Sequence, residues 1–401
     1  MQMRLVRRFA TAAAGLTLLL VTSCSSSEPA ERVSTIRVGG VAQLQRYPGV
    51  DHGAKARFER ANREGGVAGR KIDFLGVQDD SSDLQRNTSL VKSLVQQRDV
   101  FAVVPLASDR FGAASSQFLS KSHVPYVGWG VTSGFCGSQW GFGYTGCHAN
   151  DGLADLSGIE GVLAATGKRP PQLKVALQTD AGAEGKAAAY AEVLEQRGAD
   201  IVYIKSDLSA NGVTSYAPWA EALIETDPDV IYTLVDFPHE VGLSGALRTA
   251  GYDGMIVGST SYVPGVLTRQ PNVAAALDEL YISTPTPVQE ENSPAIEQIQ
   301  EDLAIIGEPT EVGLGVSLGY WQADVFVSML ESVEGELTSD SLQKAVVSGF
   351  SYKSEEAGGI GPLTFPKNLT APVTCAGLVQ VEGTKYVVRR PFTCYDSYPA
   401  D

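Results

Sequence analysis

Residues 72–104 read IDFLGVQDDSSDLQRNTSLVKSLVQQRDVFAVV, and their pattern indicates the architecture of the whole chain. Two short runs rich in β-branched and aromatic residues, at 72–77 and 100–104, flank a stretch in which apolar residues recur at helical spacing. This stretch follows an Asp/Ser cluster at 79–83, a composition favoured at helix N-termini. The pattern therefore predicts a strand, a helix and a second strand, which is the unit of a parallel sheet.

The same alternation continues on both sides of this unit. It predicts strands at 36–39, 72–77, 100–104, 126–128, 173–178, 201–204, 230–234 and 255–258, with helices at 185–197, 220–225 and 319–333. A glycine-rich stretch at 128–146 separates the first four strands from the second series, so we expect two sheets. Residues 377–382 and 385–389, separated by Gly383 and Thr384, predict a terminal hairpin. The predicted fold class is α/β.

Composition excludes several classes of protein. The 401 residues include 46 acidic and 31 basic side chains, which gives a formal net charge of −15 at pH 7. A nucleic-acid-binding protein needs a basic face to neutralise phosphate, so we expect no nucleic-acid partner. Hydrophobic residues make up 43% of the chain and charged residues 19%, which excludes a disordered or multi-span membrane protein.

The first residues are typical of an export signal. Three arginines precede an apolar run at 9–21, which is too short to span a membrane. The following Val21-Thr22-Ser23-Cys24 resembles a bacterial lipobox, which implies a signal peptide at 1–23, lipidation of Cys24 and a polar tether at 24–34. The alternative is an ordinary secretory signal with an incidental cysteine. The expected location is the outer face of the cell membrane, where the lipid anchor is the sole attachment to the membrane.

Four further cysteines fit an oxidising compartment and allow three disulfide pairings. We predict the two local pairings, Cys136 with Cys147 and Cys375 with Cys394, because each closes a short loop. The chain contains no C-x-x-C spacing, and its four histidines show no ligand spacing. We therefore expect neither a metal site nor thiol catalysis, and no cofactor.

The sequence offers no candidate for catalysis, since the motifs of hydrolases, zinc proteases, nucleotide-binding loops and dinucleotide-binding folds are all missing. The acidic run at 79–83 suits either a metal site or a helix N-terminus, and we favour the helix. Open α/β sheets bind ligands at their strand C-termini. There Ser108 and Thr132 suit an anionic group, or simply cap helices, while Trp129 lies between two glycines as either a pocket wall or a core residue.

Several motifs, taken in order, resemble the periplasmic leucine/isoleucine/valine-binding proteins, the type I substrate-binding family of ABC importers. The resemblance implies two Rossmann-like lobes joined by three crossovers, with a ligand between them. It implies an N-terminal lobe at 35–145 plus 285–349 and a C-terminal lobe at 146–284 plus 350–401. The motifs are Val77-Gln78-Asp79-Asp80, Val103-Val104-Pro105-Leu106-Ala107-Ser108, Val124-Pro125, Leu247-Arg248-Thr249-Ala250-Gly251 and Gly361-Pro362-Leu363-Thr364-Phe365.

The resemblance also assigns binding residues. In the first lobe, Ser108, Gly130 and Thr132 fall on the positions that hold an amino-acid carboxylate, and Tyr47 falls near the first-loop aromatic. In the second lobe an expected aromatic falls near Gly182, another falls at Asp236 or Phe237, and the ammonium-binding glutamate falls near Thr260. The candidate ligand-binding residues are Tyr47, Ala107, Ser108, Trp129, Gly130, Thr132, Asp236, Phe237 and Thr260.

A neutral Thr260 cannot neutralise a buried ammonium. The sequence therefore favours a carboxylate ligand without an α-amine, with an amine-bearing ligand paired by Asp236 as the alternative. The expected function is delivery of a small polar or carboxylate-bearing solute to ABC permease and ATPase subunits by a monomeric, non-enzymatic lipoprotein. The alternative function is a sensory or scaffold lipoprotein on the same fold.

Overall fold

The structure is a computed structural model that describes residues 35–148, 157–169, 173–209 and 212–395. The predicted signal peptide, the tether and Cys24 lie outside the described residues. Within the described ranges no helix is long and apolar enough to cross a membrane.

The first lobe is built on a five-stranded sheet of order β2-β1-β3-β4-β5, in which every neighbouring pair is parallel. Its strands are β1 (Ile36–Ala42), β2 (Ile72–Asp79), β3 (Ala102–Ala107), β4 (Tyr126–Gly128) and β5 (Gly141–Gly143). Helices α1 (Val50–Arg63), α2 (Leu84–Gln96) and α3 (Ala113–Lys121) follow the first three strands. Asp83 caps α2 by accepting a hydrogen bond from the Arg86 amide at 2.6 Å, which confirms the helix interpretation of the acidic run.

Three helices from later in the chain complete this lobe. They are α10 (Pro294–Ile305), α11 (Leu314–Glu331) and α12 (Ser339–Val347). Helix α11 packs directly on α1, and their backbones approach closely at Gly53 and Gly319. A Cβ atom on Gly53 would lie 2.0 Å from the Val316 carbonyl oxygen, so only glycine permits this contact.

The second lobe contains a seven-stranded sheet of order β14-β13-β10-β9-β8-β6-β7. The strands β6 to β10 are parallel, while β13 and β14 form an antiparallel hairpin at one edge. The strands are β6 (Lys174–Asp180), β7 (Asp200–Leu208), β8 (Val230–Leu234), β9 (Met255–Gly258), β10 (Tyr281–Thr284), β13 (Cys375–Glu382) and β14 (Lys385–Cys394). The helices are α4 (Ser157–Thr166), α5 (Glu184–Gln196), α6 (Ala217–Ile224), α7 (Phe237–Thr249), α8 (Val266–Arg269) and α9 (Pro271–Leu277).

The hydrophobic cores confirm the predicted two-lobed architecture. The chain contributes alternately to the two lobes and passes between them three times, after β5, after β10 and before β13. One segment differs from the expected lobe assignment. Residues from Phe350 to Leu369, which include the small strands β11 (Ser351–Tyr352) and β12 (Leu363–Thr364), pack into the core of the first lobe.

Most predicted strands appear within a few residues of their expected bounds, and β4, β8 and β9 match them. The sequence reading missed β5, which lies within the glycine-rich stretch, and β10, which precedes a Pro-containing segment. Both predicted disulfides are present, and the Cys375–Cys394 bridge joins directly opposed residues of β13 and β14.

Candidate ligand-binding cleft

The cleft lies where the C-terminal ends of the two parallel sheets face each other. Arg46, in the loop after β1, extends from the first lobe and contacts Asp236, the residue that precedes α7 in the second lobe. The distance from Arg46 Nη1 to Asp236 Oδ1 is 2.6 Å. Parallel sheets place their ligands at this edge, so the residues around this contact form the candidate site.

Aromatic side chains that pack beside Arg46 on the first lobe form the candidate wall of the cleft. The rings of Tyr47 and Trp129 meet edge to face with centroids 5.6 Å apart, and Tyr47 is only 2% exposed. The Arg46 guanidinium lies 5.5 Å from the centroid of the Tyr47 ring. Tyr144, just after β5, is also buried, and burial raises the pKa of its hydroxyl well above the usual value. Both tyrosine hydroxyls therefore remain protonated donors near neutral pH.

Ser108, which the resemblance assigns to ligand binding, makes hydrogen bonds inside the protein. Its hydroxyl donates to the buried Asp80 carboxylate and accepts from the Arg110 amide at 3.0 Å. Asn87 donates to the same Asp80 oxygen at 2.9 Å. Ser108 therefore holds the loop in shape, and its proton is not free for a ligand. It does not cap α3, which begins after Gly112.

Thr132 is placed differently from Ser108. It is 9% exposed, and its hydroxyl has no hydrogen-bond partner within the described chain. The backbone at Gly130 packs so closely on the end of the Gly143–Gly146 loop that a Cβ atom would lie 1.6 Å from the Gly146 carbonyl oxygen. The disulfide between Cys136 and Cys147 links the loop after β4, which contains Thr132, to the segment after β5. Thr132 precedes a series of turns rather than an α-helix, so it is not a helix cap.

Charged groups cluster at the centre of the cleft. Arg46 Nη1 lies 2.5 Å from Asp109 on its own lobe as well as 2.6 Å from Asp236 on the other. Asp180, at the end of β6, accepts a hydrogen bond from the Asp236 amide at 2.8 Å. Burial raises the pKa of Asp180, and the negative charge of Asp236 adds to the effect.

On the second lobe, Thr260 and its neighbour Ser259 are held by a buried glutamate. The Glu240 carboxylate accepts hydrogen bonds from the Ser259 amide at 2.9 Å and from the Thr260 amide at 3.2 Å. The Thr260 hydroxyl donates to the Val235 carbonyl at 3.0 Å. Glu240 is fully buried, and burial raises its pKa. It therefore shapes the loop after β9 and does not supply a free carboxylate to the cleft.

The other predicted residues have simpler surroundings. Ala107 ends β3 and is fully buried, with its carbonyl accepting from the Gln43 amide. Phe237 begins α7 and packs against the core of the second lobe. Gly182 adopts φ +88, a left-handed conformation that favours glycine and explains why an aromatic residue does not occupy this loop.

Sequence reasoning missed four residues at the centre of the cleft. They are Arg46, Asp109, Tyr144 and Asp180. The position of Asp180 at the end of a predicted strand was a usable signal, and Asp109 follows another predicted strand. The loop position of Arg46 carried no such signal, because its partner Asp236 is distant in sequence.

The fold agrees with the comparison to known families. A sequence model for the periplasmic binding protein family matches residues 38–385. The chain therefore belongs to the periplasmic binding protein family, which confirms the family resemblance in the sequence. A comparison with curated protein sequences found no match.

Solved structures of substrate-binding proteins show the same fold. A fatty acid ABC transporter substrate-binding protein from Thermomonospora curvata is 20% identical with a TM-score of 0.74, covering 90% of this chain and 93% of its own. A branched-chain amino acid transporter substrate-binding protein from Streptococcus pneumoniae, in complex with isoleucine, is 19% identical with a TM-score of 0.69, covering 90% and 100%. A solute-binding protein from R. palustris, in complex with 4-hydroxybenzoate, is 18% identical with a TM-score of 0.71, covering 92% and 98%. Identities this low show a shared fold alone.

Proposed function

We propose that this chain is the substrate-binding protein of an ABC importer and that its cleft holds a small molecule bearing a carboxylate. The observation that carries the proposal is a set of buried donors without partners in the described chain: the hydroxyls of Thr132 and Tyr144 and the Nε of Arg46. A buried donor without a partner is costly, and a ligand that accepts from it recovers the lost hydrogen bond. A carboxylate offers two acceptor oxygens to such a set.

The solved relatives support the same ligand chemistry. One of them is a fatty acid substrate-binding protein, and two others are in complex with isoleucine and 4-hydroxybenzoate; all three kinds of molecule contain a carboxylate. Their remaining parts differ widely, from an aliphatic chain to a phenol ring. The common group is the one that the unpartnered donors of this cleft would bind.

The second lobe favours a ligand without an α-amine. The Glu240 carboxylate accepts hydrogen bonds from the loop after β9, and the Thr260 hydroxyl donates a hydrogen bond to a backbone carbonyl. Asp236 is already in contact with Arg46. The wall formed by Tyr47 and Trp129 suits an apolar or aromatic body on the acid. Binding, without any chemical reaction, is the proposed activity.

A thermal-shift screen tests this proposal. The exported part of the chain is incubated with hexanoate, benzoate, 4-hydroxybenzoate, leucine, isoleucine and glucose. A ligand that binds only the native state raises Tm, so we expect at least one acid to raise it while glucose does not. Stabilisation by glucose, with no response to any acid, would contradict the proposal.

We also propose that Cys24 is lipidated, which would hold the protein at the outer face of the membrane. Cys24→Ala would then release the protein into the medium or leave it unprocessed, as measured by cell fractionation. A Cys24→Ala protein that stays with the membrane fraction as the wild type does would contradict the lipid anchor.

A further inference from the structure

Arg46 is shared between two carboxylates that belong to different lobes. Its Nη1 atom lies 2.5 Å from Asp109 Oδ2 and 2.6 Å from Asp236 Oδ1. About a quarter of the Arg46 side chain is exposed, and Asp236 is exposed by 41%. The Oδ1 atom in this contact is buried, but the rest of the Asp236 side chain is accessible, so water can solvate the carboxylate once the contact is broken. The contact across the cleft is therefore one that a competing anion can replace at low cost.

The guanidinium of Arg46 still has an unused donor. A guanidinium has five N–H groups and binds a carboxylate best through two parallel hydrogen bonds. In the described chain both carboxylates meet the same Nη1 atom, while Nε is buried and has no partner. The Thr132 and Tyr144 hydroxyls, on the same lobe, are likewise without partners. All three unused donors belong to the first lobe, whereas Arg46 is the one of them that contacts a carboxylate of the second lobe.

Building on the proposed function, we propose that Arg46 is the counter-ion of the ligand carboxylate and that Asp236 takes the ligand's place in the empty cleft. The incoming carboxylate takes the Nε side of the guanidinium and the two hydroxyls, and Asp236 moves into solvent. Asp109 stays in contact with Arg46 and keeps the guanidinium oriented. Arg46 then makes the protein selective for acids. Asp236 lowers the affinity for an acid, because the acid must displace it from Arg46.

The two residues have opposite predicted effects on affinity. Arg46→Gln removes the positive charge and the donors, so it weakens the binding of acids by about tenfold or more. Asp236→Asn removes the competing anion, so it strengthens the binding of acids. If Asp236 instead paired with an ammonium group of the ligand, Asp236→Asn would weaken binding. The sign of the Asp236 effect therefore separates the two hypotheses.

Calorimetric titration of the purified protein tests this proposal. The probes are benzoate, 4-hydroxybenzoate, leucine and 4-methylpentanoate, which is leucine without its amine. Each is titrated into wild type, Arg46→Gln, Asp236→Asn and the control Asp227→Asn. Asp227 pairs with Lys174 on the surface of the second lobe and has φ +50, a conformation that asparagine tolerates. The control changes the net charge as Asp236→Asn does, but outside the cleft. Circular dichroism of each variant checks that it is folded.

The outcomes are distinct. The proposal expects acids to bind the wild type, to bind Arg46→Gln more weakly and Asp236→Asn more tightly, and to bind Asp227→Asn within about twofold of the wild type. If acids bind the wild type and Arg46→Gln equally, or if Asp236→Asn weakens binding, this inference is wrong while the proposed function stands. If the wild type binds none of the acids, the proposed function is wrong and the inference with it.

A second measurement needs no ligand. It therefore tests the contact even in a variant that has lost ligand binding for another reason. The Arg46–Asp236 contact joins the lobes, so its removal favours a more open protein. Small-angle scattering of the ligand-free protein should show a larger radius of gyration for Arg46→Gln and Asp236→Asn than for wild type and Asp227→Asn. Equal radii for all four proteins would contradict a role for this contact in the empty cleft.

Discussion

Glu240 shows how a buried charge can shape a binding loop without meeting the ligand. Its carboxylate accepts hydrogen bonds from the Ser259 and Thr260 amides, and it lies directly under Gly258. These amides belong to the loop at the C-terminal end of β9, where the resemblance placed the ammonium site. A carboxyl group is present near this position, but it accepts hydrogen bonds from the backbone of the loop.

We predict that Glu240→Ala lowers the free energy of unfolding by roughly 2 kcal/mol, because two partly buried amides lose their acceptor. Glu240→Gln keeps an acceptor oxygen and should lose less than half as much. Glu221→Ala, at an exposed position of α6, serves as the control and should change little. Urea denaturation measures all three. Equal stability of Glu240→Ala and Glu221→Ala would show that Glu240 does not hold the loop.

Asp180 makes ligand affinity depend on pH. Its pKa is raised by burial and by Asp236, so part of its titration falls above the usual carboxyl range near 4. His239, Asp236 and Arg46 face it in the structure. An anionic ligand is repelled by the ionised form of Asp180, so ligand binding is coupled to proton uptake. Affinity for an acid should therefore rise as the pH falls.

We expect benzoate affinity to increase as the pH falls from neutral towards the usual carboxyl range, and we expect the increase to shrink in Asp180→Asn. Asparagine keeps an oxygen to accept from the Asp236 amide, so the loop remains in place. Titration calorimetry at several pH values measures the slope. An unchanged slope in Asp180→Asn would contradict this role of Asp180.

We expect the disulfide that closes the β13–β14 hairpin to contribute to the stability of the protein. Cys375 and Cys394 are opposed at the open end of the hairpin and are separated by 19 positions in sequence. Replacing both by serine removes the cross-link, so the conformational entropy of the unfolded chain increases. We predict a loss of roughly 3 kcal/mol in the free energy of unfolding. Guanidinium denaturation of the double variant, beside the wild type, measures the difference, and a loss below about 0.5 kcal/mol would contradict it.

Elements with a strong local pattern were predictable from sequence, and those defined by distant contacts were not. The alternation of apolar strands and amphipathic helices predicted β4, β8 and β9 at their observed bounds. Strand β5 has the sequence Gly-Phe-Gly, which has little strand propensity, and it forms because β4 pairs with it. Residues 350–369 join the first lobe because their apolar side chains fill its core, a long-range contact that no local pattern reveals.

In the candidate site, too, features with a local sequence pattern were predictable and those defined by distant contacts were not. The sequence pointed to the edge of each sheet where the candidate cleft lies, and it named Thr132, Trp129 and Asp236 as candidates there. It did not show that the Ser108 hydroxyl donates to Asp80, since that hydrogen bond joins residues 28 positions apart. Arg46 was missed because its two carboxylate partners are still more distant in sequence, and one of them belongs to the other lobe.

At the scale of the whole molecule, the two lobes are joined by three chain crossings and face each other across the cleft. Such an arrangement permits hinge closure around a ligand that contacts both lobes. The described contacts assign different tasks to the two sides. The first lobe supplies unpartnered donors and an aromatic wall, and the second lobe supplies carboxylates that balance Arg46.

A crystal structure of the protein with a bound acid tests the central claim most directly. The acid is the one from the thermal-shift screen that stabilises the protein most. We predict that its carboxylate lies within hydrogen-bond distance of Arg46 Nε, Thr132 Oγ1 and Tyr144 Oη, and that Asp236 no longer contacts Arg46. A bound acid whose carboxylate lies elsewhere, with the Arg46–Asp236 contact intact, would contradict the account.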